Sequence, residues 1–284
     1  MPALDNFPCR PLRDSEFARI RKLAYDTFGL DLKAGKETLV STRLAREIHR
    51  SGCTTFDQYY RRVVEDPTGE SLINLIDALT TNHTAFFREP QHFDFLRSRF
   101  LPEQAGRGNI DIWSAACSSG EEPYSIAMCL LDELGAASKQ RVRILATDIS
   151  TRVLSKAARG AYPAERFDGV SPHQLRAHLL RGEGRWAGWY RVKKDVRDMV
   201  EFRRLNLMEP PAQLGPFGLI FCRNVMIYFD KPTQQRVVQR LTGYLSPGGY
   251  LFTGHSESLT GIEHGLTYVL PAIYRKPSFA SRER

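Results

Sequence analysis

Trp113-Ser-Ala-Ala-Cys-Ser-Ser-Gly-Glu-Glu-Pro-Tyr-Ser125 is the stretch that decides the fold. An apolar run, 109–113, stops in a cluster of small residues, 115–120, and a helix-like run follows at once over 121–134. Strand, small-residue turn and helix is how α/β proteins bring backbone amides and a helix N-terminus up to a ligand. Glu121 and Glu122 open the helix, where negative charge complements the helix dipole but repels phosphate. The turn therefore suits a ligand carrying hydroxyls or positive charge rather than pyrophosphate, and S-adenosylmethionine (AdoMet) is such a ligand. Only Gly120 lies in the turn, so the glycine fingerprint of dinucleotide enzymes is missing and the case for NAD falls.

Working outward, strands are predicted at 110–113, 142–146, 217–222 and 250–253, and helices at 121–134, 151–159 and 232–244. Pro232 takes the favoured first helical position, a turn is expected at 246–249, and 266–269 with 273–275 suggest a late strand or hairpin. Repeated βα units predict an α/β, Rossmann-like fold with a mostly parallel, doubly wound sheet. The run 162–201 breaks the rhythm with a helical piece at 171–180, Arg181-Gly-Glu-Gly184 and a β-like 188–192. It reads as a small β-subdomain inserted at about 163–200.

Upstream, the first ~85 residues read as helices only. Asp14 can cap a helix carrying Phe17, Ile20, Leu23, Ala24 and Phe28, with Gly29 ending it. Further helices are expected at 33–51, 56–65 and 70–79, so the chain divides into a helical bundle over 1–85 and an AdoMet-type α/β domain over 86–284. The tail 278–284 is expected to be loose.

Of the 284 residues, 42% are apolar and 25% charged, a balance that can bury a core. No apolar run approaches the ~20 residues of a membrane helix, and residues 1–8 lack the build of a signal peptide. Five cysteines, odd in number and without a C-x-x-C pair, point to a reducing, cytoplasmic setting and away from structural zinc. His173 and His178 are five apart and do not share a helix face, so no metal is expected. A net charge of +8 favours an acidic partner: nucleic acid, anionic membrane or carboxylate-rich protein.

Leu145-Ala-Thr-Asp-Ile149 ends the second predicted strand, where Asp148 is placed to hold two ribose hydroxyls. Taken alone, Asp148 is simply a helix N-cap. Leu79-Thr-Thr-Asn-His-Thr-Ala-Phe-Phe-Arg-Glu89 joins the two parts, either as a helix start with Phe86 and Phe87 facing the core or as a lid. In the second reading Arg88 is the charge available to an acceptor carboxylate. Phe221-Cys-Arg-Asn-Val-Met-Ile-Tyr-Phe-Asp230 ends the strand beside the first, which puts Arg223 and Asn224, and with them Tyr228, at the ligand crevice. Gly254-His-Ser-Glu-Ser258 fails the G-x-S-x-G pattern of a nucleophile elbow, so it reads as a turn lining the acceptor side. Arg43, Arg46 and Arg50 fall at i, i+3 and i+7 on one helix, a basic stripe that is ordinarily solvated but can dock an acidic helical partner.

Together the blocks L-T-T-N-x-T-x-F-F-R-E, W-S-A-A-C-S-S-G-E-E-P-Y-S, A-T-D-I, F-C-R-N-V-M-I-Y-F and G-H-S-E-S resemble the chemotaxis receptor glutamate O-methyltransferase family (CheR), from about residue 14 to 276. The resemblance implies a helical N-terminal domain, a Rossmann-like AdoMet domain and an inserted antiparallel β-subdomain. It implies methylation of glutamate side chains on the cytoplasmic helices of chemoreceptors. Carried over block by block, Asn82, Thr84 and Arg88 meet the cofactor, Glu122 holds its methionine end and Asp148 its ribose. Asn206, Leu207, Arg223 and Asn224 line the adenine and methionine side, and Arg88 and Tyr228 face methyl transfer. In some members the inserted subdomain docks a peptide from the receptor C-terminus, and Arg181-Gly-Glu-Gly184 with its following strand looks similar to that edge.

The rival readings are a nucleic-acid methyltransferase and a non-enzymatic AdoMet-binding scaffold. The first is disfavoured because no [DNS]-P-P-[YFW] signature is present; Glu209-Pro-Pro-Ala212 lies upstream and lacks the aromatic. Retention of every mapped active-position residue argues against the second.

Overall fold

Apolar side chains at helical spacing account for the first helices. α1 (Asp14–Phe28) buries Phe17, Ile20, Ala24 and Phe28, α2 (Glu37–Arg50) buries Val40, Leu44 and Ile48, and α3 (Phe56–Glu65) buries Phe56, Tyr59 and Val63. α4 (Glu70–Leu79) adds Ile73, Ile76 and Leu79. Gly29, at φ 70°, ends α1 in the left-handed conformation that glycine adopts without strain. The N-cap of α1 is Arg13 rather than Asp14, because Glu16 reaches back to accept the Arg13 amide at 2.9 Å. α2 starts later than the predicted residue 33, since Gly35 turns the chain at φ 83°. The computed structural model describes residues 12–106, 108–135, 138–209 and 214–278. Expectations for residues 1–8, for 210–212 and for the tail beyond 278 lie outside the described residues.

Two units emerge, Met1–Asn82 with Tyr228–Asp230, and His83–Ile227 with Lys231–Arg284. Within the first, Leu30 bridges Phe229, the Asp31 amide donates to the Tyr228 carbonyl (2.8 Å), and the Tyr25 hydroxyl donates to Asp230 (2.9 Å). A short segment distant in sequence thus belongs to the helical unit.

The second unit opens with α5 (Pro90–Phe95), a π-helical turn (Leu96–Phe100) and α6 (Leu101–Glu103). Then follow β1 (Ile110–Ser114), α7 (Glu121–Leu134), α8 (Ser138–Arg141), β2 (Val142–Asp148) and α9 (Thr151–Arg159). Next come β3 (Ala161–Pro163), α10 (Pro172–His178), β4 (Leu179–Arg181), β5 (Trp189–Val192), α11 (Lys194–Arg197) and β6 (Val200–Arg204). β7 (Phe217–Cys222), α12 (Lys231–Tyr244), β8 (Leu245–Thr253), β9 (Thr267–Leu270) and β10 (Ile273–Arg275) complete it.

The main sheet runs β6-β2-β1-β7-β8-β10-β9. Its first five strands are parallel, and β10 is antiparallel to both neighbours. Both faces are covered, as the period-2 alternation of β1 shows. Ile110 and Ile112 enter the large apolar cluster with α5, α7, Phe221 and Phe252. Trp113 points the other way, against Phe217 and Tyr244, and its indole N–H donates to Thr147 of β2 (2.9 Å).

The insertion is a separate three-stranded antiparallel sheet, β3-β5-β4. The predicted insertion at about 163–200 included Val200 at its end, but β6 begins there and pairs with β2. The predicted turn at 246–249 lies within β8, where Gly248 at φ 79° and a register shift opposite Phe217 take up the irregularity.

Candidate active site

Because β6, β2, β1, β7 and β8 are parallel, their carboxyl ends share one sheet edge, and the strand order reverses between β1 and β7. This is where open α/β sheets form a ligand crevice. At or just after those strand ends lie Asn206, Asp148, the turn ahead of Glu122, Arg223 with Asn224, and His255 with Glu257.

The two carboxylates at the start of α7 have different fates. Glu121 is fully buried, pairs with Arg166 and accepts the Ser119 hydroxyl at 2.7 Å. Arg166 also donates to the Thr84 carbonyl at 2.9 Å. Glu122, one position around the helix, turns to the strand ends, where it accepts the Ser114 hydroxyl at 2.7 Å and an Arg223 N–H at 2.9 Å. Glu121 is therefore structural, and Glu122 is the one on the crevice side.

Asp148 is not the N-cap of α9. Ser150 is, accepting the Val153 amide on its hydroxyl. The Asp148 carboxylate instead takes the Ser118 amide at 2.8 Å and the Ser150 amide at 3.0 Å. Ser118 adopts φ 49°, a strained conformation for serine that presents its N–H to that carboxylate. The next strand end is tied in through the Leu205 amide, which donates to the Asp148 carbonyl at 2.9 Å. Buried Asn206 caps its own turn by accepting the Met208 amide (3.0 Å), and the Leu207 carbonyl is held by Arg240 of α12.

Arg223 organises the centre. Its buried guanidinium contacts Glu122 (2.9 Å), Glu89 (3.1 Å) and the Arg88 carbonyl (2.5 Å). One positive charge thus serves two carboxylates. Burial pushes the Glu89 carboxyl up, but the Arg223 charge and the His255 amide outweigh it, leaving it below the ordinary range. Glu89 sits at φ 57°, and Phe87, two residues earlier, at φ 51°. The segment is held at three backbone points: the Thr84 carbonyl by Arg166, the Phe87 amide by Ser125 (2.9 Å) and the Arg88 carbonyl by Arg223. Phe86 is buried and stacks on Phe167 with centroids 4.4 Å apart. The Arg88 guanidinium donates to the His83 carbonyl (2.9 Å), and no carboxylate of a described residue pairs with it.

Glu89, His92 and His255 offer ligand atoms within 4.8 Å of one another. Arg223 already occupies that carboxylate, and a divalent cation there would sit beside a guanidinium. His92 is fully buried and stacks on Phe252 at 4.9 Å. Burial, and then Arg223, push its pKa down to about 3, so the ring is neutral at pH 7. The cluster reads as an ion-pair network rather than a cation site.

The remaining predicted residues lie in the helical unit. Asn82 ends it. The Tyr228 hydroxyl donates to the Thr81 carbonyl (3.0 Å) and accepts the Thr81 amide (3.1 Å). Arg43 is drawn off the basic stripe to the Leu79 carbonyl and the Thr81 hydroxyl, Arg46 is exposed, and Arg50 pairs with Glu47 at 3.3 Å. Sequence reasoning missed Glu89 and Glu257 as site residues. Both stood inside quoted motifs, Glu89 as a motif terminus and Glu257 within the turn expected to line the acceptor side, without being singled out.

A Rossmann-type sheet with acidic groups at its ligand edge, and no phosphate-binding glycine loop, defines an AdoMet-dependent methyltransferase. A family model described as "CheR methyltransferase, SAM binding domain" matches residues 82–271, and one described as "CheR methyltransferase, all-alpha domain" matches residues 15–80. The chain belongs to the CheR methyltransferase family, and S-adenosylmethionine is its cofactor. A protein named chemotaxis protein methyltransferase from Klebsiella aerogenes is 44% identical over 253 residues, 89% of this chain and 86% of its own. One of the same name from Escherichia coli is 41% identical over 264 residues, 93% and 91%. A third, from Borreliella burgdorferi, is 39% identical over 269 residues, 92% and 94%.

Proposed function

We propose that this chain transfers the methyl group of AdoMet to glutamate side-chain carboxylates of chemoreceptors, giving methyl esters for sensory adaptation. Family membership supports the receptor as substrate. The observation that carries carboxylate specificity is Arg88: its backbone is pinned to Arg223 while its guanidinium has no carboxylate partner among the described residues. The other two arginines of the network, Arg166 and Arg223, are already neutralised by Glu121, Glu122 and Glu89. An acceptor carboxylate is the natural partner for the one that is not.

The chain's own groups fit the cofactor. Asp148 is oriented by two backbone amides at the carboxyl end of β2, and its carboxylate is the acceptor assigned to the ribose hydroxyls. Glu122, held by Ser114 and Arg223, offers negative charge to an ammonium. Asn82, Thr84, Asn206, Leu207, Arg223 and Asn224 are assigned to the remaining cofactor contacts, and Tyr228 with Arg88 to the methyl-transfer side. When bound, AdoMet supplies a methyl group activated by its sulfonium.

The acceptor needs no general base, because a glutamate carboxylate has a reference pKa of about 4.3 and is ionised at pH 7. Catalysis then reduces to positioning, which can supply roughly 7–11 kcal/mol. Arg88 would align the carboxylate without pairing so tightly that it quenches the nucleophile. The product has lost one negative charge on the receptor helix, a local electrostatic switch.

Two surfaces suit the receptor. Arg46 and Arg50 on α2 present positive charge. The insertion has β4 as a free edge strand, with Leu180, Trp186 and Trp189 exposed nearby, suited to an added peptide strand with an aromatic side chain. A chemoreceptor's cytoplasmic helices as substrate would place this chain on the cytoplasmic side; no described helix is long and apolar enough to cross a membrane.

The test is transfer of labelled methyl from AdoMet to receptor-containing membranes, followed by mild base. Label released as methanol supports the carboxyl ester. Base-stable label on RNA or on another protein would overturn the assigned acceptor.

A further inference from the structure

Glu257 is a buried carboxylate, 6% exposed, two residues after His255 in the loop that follows β8. No salt bridge to this carboxylate is formed among the described residues, and its hydrogen bonds come from peptide N–H groups. Oε2 accepts the Asn224 amide at 2.7 Å and the Gly254 amide at 2.7 Å, and Oε1 accepts the Ile227 amide at 3.2 Å. The Met226 amide adds a further favourable contact. Burial pushes the carboxyl up, and these backbone donors oppose that push.

The donors come from two loops. One is its own, where the Glu257 amide also donates to the Gly254 carbonyl (2.8 Å) and the Thr253 hydroxyl donates to the Glu257 carbonyl (3.0 Å). The other is the loop after β7, which begins with Arg223 and Asn224. Asn224 adopts φ 57°, the left-handed region that asparagine visits more readily than other non-glycine residues, and the Glu257 oxygen holds its amide in that conformation. Gly254 completes the fit. A Cβ there would lie 2.5 Å from Asn224 Nδ2 and 2.7 Å from Glu257 Oε2, so only glycine lets the two loops close on the carboxylate.

The geometry points to Glu257 as a positioning residue for methyl transfer: its carboxylate sets the backbone of 224–227 and through it the crevice placement of Asn224 and Arg223. This rests on the reading of that crevice as the cofactor site. Glutamine is nearly isosteric, but it replaces one accepting oxygen with an amino group facing backbone N–H donors. A loop that relaxes by even an ångström costs catalysis far more than it costs folding.

The test uses the full chain as Glu257→Gln and, independently, Gly254→Ala, which displaces the same pair while leaving the carboxylate intact. Thermal unfolding, calorimetric binding of S-adenosylhomocysteine and single-turnover methyl transfer at saturating AdoMet are measured for each. Both variants are expected to stay folded, to bind S-adenosylhomocysteine about 10-fold more weakly, and to transfer methyl about 10- to 100-fold more slowly. A folded variant of either kind with wild-type affinity and wild-type transfer would overturn the assignment, whatever its melting temperature. If Glu257→Gln does not fold, Gly254→Ala decides alone. A wild-type chain that fails to bind S-adenosylhomocysteine would instead overturn the reading of the crevice.

Discussion

Replacing Arg223 with methionine probes the centre of the crevice. The guanidinium lies 2.9 Å from Glu122 and 3.1 Å from Glu89, and these side chains are only 2%, 11% and 13% exposed. At an effective dielectric of about 20, each pair is worth roughly 5 kcal/mol of Coulomb attraction before desolvation is subtracted. Methionine fills the volume but strands two carboxylates, the circumstance in which breaking a buried pair costs about 3–5 kcal/mol. In a unit of this size, each kcal/mol lowers the melting temperature by about 2–4 °C. A loss of about 4 kcal/mol should therefore appear as a drop of about 8–16 °C in the transition that reports the sheet. The penalty lies in stranded charge, so adding Glu122→Gln to Arg223→Met should recover part of it. Acid should also narrow the gap. Glu89 has its pKa lowered in the fold, so its stabilisation is present above the ordinary value of 4.5 and is lost as pH falls through the lowered one. Calorimetry at pH 7.5 and at steps from pH 4.5 down to about pH 3 on the wild type and both variants checks all three expectations. A melting temperature for Arg223→Met within 2 °C of wild type, or no recovery in the double variant, would refute the argument.

Other expectations concern the residues around that centre. Arg88→Ala should leave S-adenosylhomocysteine affinity within a few-fold while saturated turnover falls about 100-fold, and unchanged turnover removes Arg88 from the acceptor side. Asp148→Ala should weaken the cofactor by about 100-fold in calorimetry, since charge-assisted hydrogen bonds contribute about 1.5–3 kcal/mol each; wild-type affinity refutes the ribose role. His92 is held neutral by burial, with its pKa lowered to about 3. The unfolded chain therefore takes up a proton below pH ~6.5 that the fold refuses, and stability falls as pH drops from there toward 3. His92→Phe should flatten that slope, and an unaltered slope places the titration elsewhere. Reversing Arg46 and Arg50 to glutamate should raise the receptor KM and weaken its dependence on salt, with unchanged kinetics returning both residues to ordinary solvation.

Much of the architecture was legible because period carries it. The bounds of α3, α4, α7, α9 and β7 coincide with their apolar runs and capping residues. In the insertion β5 was legible as the β-like run 188–192, but β3 and β4 were not, since the three residues of Ala161–Pro163 or Leu179–Arg181 hold too little alternation to register. β6 was not predicted as a strand, and its first residue fell in the expected insertion, because strand pairing is a long-range fact and Val200–Arg204 finds its partner in β2. At the site, periodicity named the right helix start but did not separate two adjacent glutamates, and it was the family resemblance that singled out Glu122, the one that turns to the strand ends. Nor did sequence reasoning find Ser150 as the cap in place of Asp148, because both are good caps two residues apart and only the backbone decides. Arg43 looked like part of a stripe because helical spacing says nothing of the Leu79 carbonyl within its reach.

The three tryptophans divide between two environments. Trp113 is sealed in the main sheet with its indole bonded to Thr147, whereas Trp186 and Trp189 lie edge to face, 6.1 Å apart, on the exposed insertion. The chain accordingly carries two intrinsic optical reporters. Blue-shifted emission that an aqueous quencher cannot reach follows the integrity of the sheet, and red-shifted, quenchable emission follows whatever seats itself on the insertion.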